Sequence, residues 1–336
     1  MVPVRGKIEK ETMKHRFASF LLIPLALLAV FACQKAETVR HAISFAPVTA
    51  KATKAIIGGT DYPTGESFKV SAYHNASPAS PGSAMYFQNL TAAKGSSYWE
   101  TSTAEYWPLG GRLDFHSFSP ASAGLTISSG GVSATSYSIT TPEQMTTDLC
   151  YASATVADCA THPDAVPLAF HHALSQVVFR VKAADYYSSL TNTISLSLNS
   201  LSMEGIYSVG DFSNGTWSNH SGAHTYNISS ATTALTYDGD DEPETIDLGA
   251  FVLIPQELGA NAALSVGFRI VQRISGTDYV LDNAPVTIPL GDTVDEWLPG
   301  KKYIYTISIG MDNIITFTAS AVGWQDSSDN IIVEEN

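Results

Sequence analysis

Basic residues are scarce in this chain of 336 residues: 18 lysines and arginines stand against 32 acidic residues, for a formal net charge of −14. Nucleic-acid binding needs Lys and Arg to neutralise phosphates, so this charge argues against a nucleic-acid partner. It suits a soluble, exposed surface protein. The charged fraction is also low at 15%, whereas Ser, Thr, Gly, Ala and Tyr are plentiful, and this mixture favours strands and turns over helices.

The signature motifs of common enzymes and metal sites are missing as well. The sequence has no GxSxG, P-loop, GxGxxG, CxxC or HExxH. Asp114 and His116 share one face of a predicted strand, which is half of a catalytic pair, but no third member is evident. The acidic turn 238–244 does not have EF-hand spacing and is expected to be solvated. The sequence therefore predicts no enzyme, no cofactor and no metal site.

One long apolar run, residues 17–32, lies near the N-terminus. It is shorter than the ~20 residues that a membrane-spanning helix needs, and it contains Pro24. A basic segment precedes it, and Val30-Phe31-Ala32-Cys33 ends it in a pattern that resembles a bacterial lipobox. These features predict a lipoprotein signal peptide over residues 1–32, lipidation of Cys33, export to the outer membrane, and a true start at Met13.

Only two cysteines follow Cys33, namely Cys150 and Cys159. Export makes a disulfide between them feasible, and their separation of nine residues suits a hairpin or a loop. The alternative is a pair of buried free thiols. The sequence leaves both interpretations open.

Alternation of apolar and polar residues with a period of two dominates the rest of the chain, and no long amphipathic helix is predicted. The clearest alternating segments are 177–181, 194–199, 264–270 and 303–309. Each is typical of a half-buried strand, and polar turn residues separate them. Many short strands predict an all-β fold of two β-sandwiches, over residues 55–183 and 184–336.

Two further groups of residues have two interpretations each. His171 and His172 are neighbours at a predicted strand, so they should point to opposite faces, and one of them should be a packing histidine. The aromatic residues Tyr98, Trp99, Tyr106 and Trp107 could form a platform for sugar stacking, or they could belong to the core and edge of a sandwich.

Several stretches resemble, in their order along the chain, the elements of the Bacteroidetes fimbrillins, the subunits of type V pili. They are the lipobox, the strand Ala42–Phe45 before Thr53-Lys54-Ala55, YWETSTAEYWPLGGRLDFHSFSP (98–120), DLCYA (148–152), VPLAFHHALSQVVFRV (166–181), FVLIPQ (251–256), WLPGKKYIYTISI (297–309) and AVGWQD (321–326). In DLCYA, Cys150 replaces an apolar residue of the family pattern.

This resemblance implies two transthyretin-like Greek-key sandwiches without catalytic activity, exported as a lipoprotein precursor. It implies a propeptide over residues 33–54 that contains the first strand, which a protease removes so that subunits can join by strand exchange. In the precursor the segment His41–Ala50 would fill its own groove, with Ile43 and Phe45 as inward anchors. A head-to-tail contact of this kind does not close and therefore makes a filament.

The residue at the expected cleavage site differs from the family pattern, because a lysine stands where the family usually has an arginine. Lys54 is the predicted cleavage site and Lys51 the alternative. The candidate donor strands are Asn313–Ala319 and Ile331–Val333. Ile314, Phe317, Ile331 and Val333 would supply their groove-filling side chains. The alternative is that these segments are ordinary final strands.

The resulting prediction is a structural subunit, shaft or accessory, of a surface fimbrium that supports adhesion and colonisation. Its partners would be other pilus subunits and, in the precursor, the lipid of the outer membrane. The alternative function is a monomeric surface lipoprotein that binds glycans through the aromatic residues between Tyr98 and Trp107. The sequence does not identify a host or bacterial surface ligand.

Overall fold

The computed structural model describes residues 40–49, 62–184, 194–236, 243–282, 285–310 and 315–324. Within these ranges the regular structure is strand, apart from short 3-10 helices at Gln144–Thr146, Cys159–Thr161 and Leu290–Asp292, and no α-helix occurs. The predicted all-β fold is confirmed.

Twenty-one strands follow one another along the described residues. Those before residue 184 are β1 (Ser44–Thr49), β2 (Ser67–Asn75), β3 (Ala84–Lys94), β4 (Trp99–Thr101), β5 (Arg112–Ser119), β6 (Thr126–Ser128), β7 (Gly131–Ser138), β8 (Cys150–Val156), β9 (Val166–His172) and β10 (Ser175–Ala183). Those after residue 193 are β11 (Ile194–Ser213), β12 (Thr216–Ser229), β13 (Thr233–Leu235), β14 (Ile246–Leu253), β15 (Gln256–Glu257), β16 (Ala263–Ile274), β17 (Thr277–Asp282), β18 (Pro285–Pro289), β19 (Glu296–Trp297), β20 (Lys301–Ile309) and β21 (Ile315–Gly323).

Seven of the first nine strands form a closed barrel in the order β1-β4-β3-β2-β5-β8-β9. The strands alternate between inward and outward residues, as β9 illustrates: Val166, Leu168, Phe170 and His172 are buried and the residues between them are exposed. The inward residues form one apolar core that is rich in aromatic rings.

The other strands form a β-sandwich, apart from β15 and β19, which pair with each other in a small sheet of their own. Its smaller sheet has the order β14-β10-β20-β21, and its larger sheet the order β17-β16-β11-β7-β6, with β12 and β13 also paired to β11 and β18 to β16. One apolar core contains residues of both sheets, such as Phe179 and Tyr305 from the smaller and Leu264 and Phe268 from the larger. The four alternating segments of the sequence lie in β10, β11, β16 and β20, so these strand predictions are confirmed.

Strand β11 is 20 residues long and changes its partner along its length. Its first part pairs with β16 and its last part with β7. A shift in its register with β12 falls between Met203 and Ile206. Gly205 has a φ of +70° at this point, and a Cβ there would collide with the carbonyl oxygen of Asn261. Glycine therefore allows the strand to bend where it passes from one partner to the next.

The sheets do not divide the chain at the predicted boundary between residues 183 and 184. Strand β10 lies between β14 and β20, and β7 pairs with β11, so strands from before the boundary belong to the sheets of the second half. The physical reason is burial on both faces of β10. Seven of its nine residues are buried, the first five in succession, and such a strand needs a neighbour on each edge and a covering layer on each face. The division into two transthyretin-like domains stays a prediction.

Candidate functional site: the first strand and its groove

Strand β1 closes the barrel by lying between β4 and β9. It is antiparallel to β4, where Ser44 faces Glu100 and Phe45 faces Trp99. It is parallel to β9 over five pairs, from Phe45 opposite Val166 to Thr49 opposite Phe170. Without β1, both β4 and β9 would become edge strands with unpaired backbone groups.

The side chains of this segment alternate between the core and the surface. Ile43 and Phe45 are 2% and 0% exposed, whereas Val48 is 42% exposed. Pro47 is also buried, so three inward residues follow one another at spacings of two. The structure thus places Ile43 and Phe45, the two predicted anchors, inside the barrel.

Aromatic rings surround Phe45. Its ring meets those of Phe68 and Phe115 edge to face, at centroid distances of 5.9 and 5.7 Å. Phe68 in turn contacts Tyr62 and Phe170. Burying a phenylalanine side chain stabilises a fold by about 1.5–3 kcal/mol, so a barrel that loses β1 loses this contribution and exposes an aromatic groove.

Few hydrogen bonds hold β1 on the side of β4. That pairing has only two residue pairs, and Pro47 has no N–H to donate. Just before the strand, the backbone N–H of Ile43 donates to the carbonyl of Glu105 at 2.7 Å. The hydroxyl of Ser44 donates to the carbonyl of Asp164 at 2.9 Å. The strand is therefore held mainly by β9 and by its apolar side chains.

Several predicted site residues lie outside the described residues: Cys33, Lys51, Lys54, Ile314, Ile331 and Val333, together with the signal peptide. Among the residues that the structure describes, no helix has both the length and the apolar composition to cross a bilayer.

Phe317 lies in β21, an edge strand of the smaller sheet of the sandwich. β21 pairs with β20 over nine residues, and Phe317 stacks on Tyr305 with centroids 5.2 Å apart. The described part of the candidate donor segment Asn313–Ala319 is thus a strand of its own sheet, which is the alternative that the sequence left open.

Cys150 and Cys159 are both buried free thiols, which is one of the two alternatives that the sequence left open. Cys150 begins β8, and Cys159 follows the end of that strand. A seven-residue strand spans about 20 Å, at roughly 3.3 Å a residue, whereas a disulfide needs Cα atoms within about 7 Å.

The predicted aromatic platform is not formed. Trp99 and Trp107 are 7% and 8% exposed and belong to the barrel core, while Tyr98 and Tyr106 are exposed. The ring of Trp107 stacks on His162 with centroids 4.6 Å apart, and Lys94 covers Trp99. The tryptophans belong to the core because inward positions of a small barrel must be filled by side chains.

Asp114 and His116 do not form a catalytic pair. The carboxylate of Asp114 accepts hydrogen bonds from Thr155, Arg112 and the backbone N–H of Gly82. Burial raises the pKa of this carboxyl, but the three donors and the charge of Arg112 outweigh burial and lower the pKa below its usual value. His116 bonds instead to the hydroxyl of Ser153 at 2.8 Å. Asp114 is therefore an acceptor that joins β5, β8 and the loop between β2 and β3.

The structure also gathers three residues that the sequence analysis did not connect: Asp148, Cys150 and His172. His171 is exposed and His172 is buried, as predicted for neighbours in a strand. His172 Nδ1 lies 2.6 Å from Asp148 Oδ2 and 3.7 Å from Cys150 Sγ. The available signal was the spacing of two between Asp148 and Cys150, but only the register of β8 with β9 brings His172 to them.

This cluster does not have the geometry of a Cys-His-Asp triad. In a triad the histidine uses one nitrogen for the nucleophile and the other for the carboxylate, whereas here both partners face Nδ1. Burial, together with Asp148, raises the pKa of the Cys150 thiol, which disfavours the nucleophilic thiolate.

Comparisons with known proteins agree with this architecture. A crystal structure of a fimbrial protein from Bacteroides vulgatus is similar, with a TM-score of 0.58, 16% identity, and coverage of 85% of this chain and 99% of that one. A candidate cell adhesion protein from Bacteroides ovatus has a TM-score of 0.51, 16% identity, and coverage of 88% and 99%. No curated protein matches the chain.

These identities are low, so the two structures support the fold alone. The sequence itself matches a family model described as fimbrillin-like, over residues 53–324. The match covers most of the chain and includes every described strand except β1. The chain therefore belongs to the fimbrillin-like family.

Proposed function

We propose that this protein is a structural subunit of a surface fimbrium, in the shaft or as an accessory component, and that it supports adhesion and colonisation. Membership of the fimbrillin-like family supports this role, as does the similar structure of a fimbrial protein from Bacteroides vulgatus. In this proposal the chain is exported as a lipoprotein anchored through Cys33, and its partners are other fimbrial subunits. Its role is structural and not catalytic.

The observation that carries the proposal is the position of β1. A short strand with one fully buried phenylalanine fills an aromatic groove between β4 and β9. Such a groove accepts an extended segment of another chain, because the strand edges offer backbone hydrogen bonds and the groove offers a pocket for an alternate side chain. In the precursor, β1 occupies this groove and prevents early assembly.

Proteolysis after Lys54, or after Lys51, would separate β1 from the rest of the chain. Both lysines follow β1 and precede Tyr62, where the next described range begins. The family match begins at residue 53, so β1 lies outside it.

The segment after Trp324 is the better candidate for the donor. Donation by β21 would break nine residue pairs with β20 and expose Tyr305, which Phe317 covers. Ile331 and Val333 lie two residues apart, so both would fall on one face of a donor strand. We therefore favour Ile331–Val333 as the donor over Asn313–Ala319.

The test is limited digestion of the chain with a lysine-specific protease, followed by N-terminal sequencing and negative-stain electron microscopy. A new N-terminus at Ala55 or Ala52 and filaments are expected. The variant with both Lys51→Gln and Lys54→Gln, treated in the same way, should keep β1 and stay monomeric. A correctly cut wild-type chain that stays monomeric at high concentration contradicts strand exchange.

A further inference from the structure

Asp148, Cys150 and His172 meet where the barrel adjoins the core of the sandwich. Cys150 and His172 face each other across β8 and β9, and Asp148 lies just before β8. All three are buried, at 2%, 1% and 5% exposure. Cys150 belongs to the barrel core, whereas its neighbour Leu149 belongs to the core of the sandwich.

The ligand atoms of these residues converge. One thiol sulfur, one imidazole nitrogen and one carboxylate oxygen all lie within 4.8 Å of one another. Tetrahedral zinc, with bonds of about 2.0–2.3 Å, separates its ligand atoms by about 3.3–3.6 Å. The distances of Cys150 Sγ to Asp148 Oδ2, 3.3 Å, and to His172 Nδ1, 3.7 Å, are close to these values. Only the contact of 2.6 Å between Asp148 and His172 must lengthen, since a metal would replace that hydrogen bond.

The hydrogen bonds within the cluster leave one buried oxygen of Asp148 without a partner. Asp148 Oδ2 accepts from both Cys150 and His172, whereas Asp148 Oδ1 is buried and has no hydrogen-bond partner. A buried carboxylate oxygen without a donor is costly, and a cation compensates it. The ring of His172 stacks on Trp324, with centroids 4.1 Å apart and an angle of 11°, which directs Nδ1 toward the other two residues.

We propose that Asp148, Cys150 and His172 bind a divalent transition-metal ion of the zinc type, with water as the fourth ligand. A thiolate and an imidazole favour zinc over calcium or magnesium, which prefer oxygen ligands alone. The ion takes the place of the thiol proton, which is released to solvent, and of the proton on His172 Nδ1, which moves to Nε2 so that the neutral ring can coordinate through Nδ1. Because the site is buried, the ion enters while the chain folds. It then links β8 to β9 and, through the stacked ring of His172, to Trp324 at the end of β21.

Cobalt is the probe, because a Co²⁺–thiolate bond absorbs in the near ultraviolet and tetrahedral Co²⁺ absorbs in the visible. The chain carrying Cys33→Ser is unfolded with reductant and chelator and then refolded with Co²⁺ after the chelator is removed. Cys159 is then the only other thiol. We expect both absorption features and about one ion per chain, the ratio expected for a single site.

Matched variants identify the ligands. Cys159→Ser removes a buried thiol outside the cluster and should keep both absorption features. Cys150→Ser should lose the thiolate band, and Asp148→Asn should bind at least about tenfold more weakly, as metal-site changes commonly do. Zinc should raise the melting temperature of wild type and of Cys159→Ser but not of Cys150→Ser.

The chain that carries only Cys33→Ser keeps the proposal falsifiable if a further variant fails to fold. A refolded Cys33→Ser chain without a thiolate band, or with no change of melting temperature in zinc, overturns the proposal. So does a thiolate band that persists in Cys150→Ser.

Discussion

The ring of Phe45 meets the ring of Phe115 edge to face, at an angle of 83° and a centroid distance of 5.7 Å. Phe45 belongs to β1, and Phe115 belongs to β5, which is not a neighbour of β1 in the barrel. The contact therefore crosses the interior of the barrel. It connects β1, the strand that we propose is removed by proteolysis, to the centre of the core. Edge-to-face pairs of this kind stabilise by about 0.5–1.5 kcal/mol beyond the burial of area.

Phe45→Ala should lower the free energy of unfolding of the uncut chain by about 3–5 kcal/mol, the range for phenylalanine in a core. Val48→Ala changes the same strand at an exposed position and should change the free energy by less than about 0.5 kcal/mol. Urea unfolding followed by tryptophan fluorescence measures both. Equal effects of the two substitutions would show that Phe45 is not the anchor.

A peptide with the sequence of His41–Ala50 should block assembly of the cut chain. It carries Ile43 and Phe45, so it can occupy the groove that β1 leaves and compete with a donor strand. Light scattering after digestion measures the rate of assembly with and without the peptide. The same peptide with Phe45→Ser should not inhibit, and inhibition by both peptides would indicate an effect other than filling the groove.

The strands and their buried faces could be predicted from the sequence because alternation is a local signal. Val177, Phe179 and Val181, for example, are all fully buried in β10. The sheet to which β10 belongs could not be predicted, because strand pairing depends on residues far apart in the chain, and its partners are β14 and β20. The burial of Trp99 and Trp107 was equally non-local, since a tryptophan at a strand end or in a loop suits either a core or a surface.

The two candidate sites, the first strand and the cluster of Asp148, Cys150 and His172, also differ in how far the sequence could predict them. Ile43 and Phe45 follow from the resemblance to the fimbrillins, and their spacing of two puts both on one side of an extended segment. Asp148 and His172 lie 24 residues apart, and their contact depends on the connection between β8 and β9. A spacing motif could not reveal a cluster whose members are brought together by register alone.

Asp114→Asn should destabilise the chain by about 1–3 kcal/mol at neutral pH, the usual cost of leaving buried donors without a charged acceptor. The pKa of Asp114 is lowered in the folded state, so its contribution is present above the unfolded value of 3.8 and is lost as pH falls through the folded value. The difference in melting temperature between wild type and Asp114→Asn should therefore be large at pH 7 and become smaller at a pH well below 3.8. Asp278→Asn, at an exposed ion pair with Arg273, should have little effect at either pH. A difference that does not change with pH would contradict the role of the charge.

Removal of residues 325–336 should show which of the two candidate segments is the donor strand. If Ile331–Val333 is the donor, the shortened chain keeps β21 and its contact between Phe317 and Tyr305, so it should keep its melting temperature but form no filaments after digestion. Phe317→Ala should do the reverse: it lowers the melting temperature, because a half-buried ring is lost from the sandwich, while cut chains still assemble. Melting curves and electron microscopy on the same samples measure both properties. Filaments from the shortened chain would exclude Ile331–Val333 and return the donor role to Asn313–Ala319.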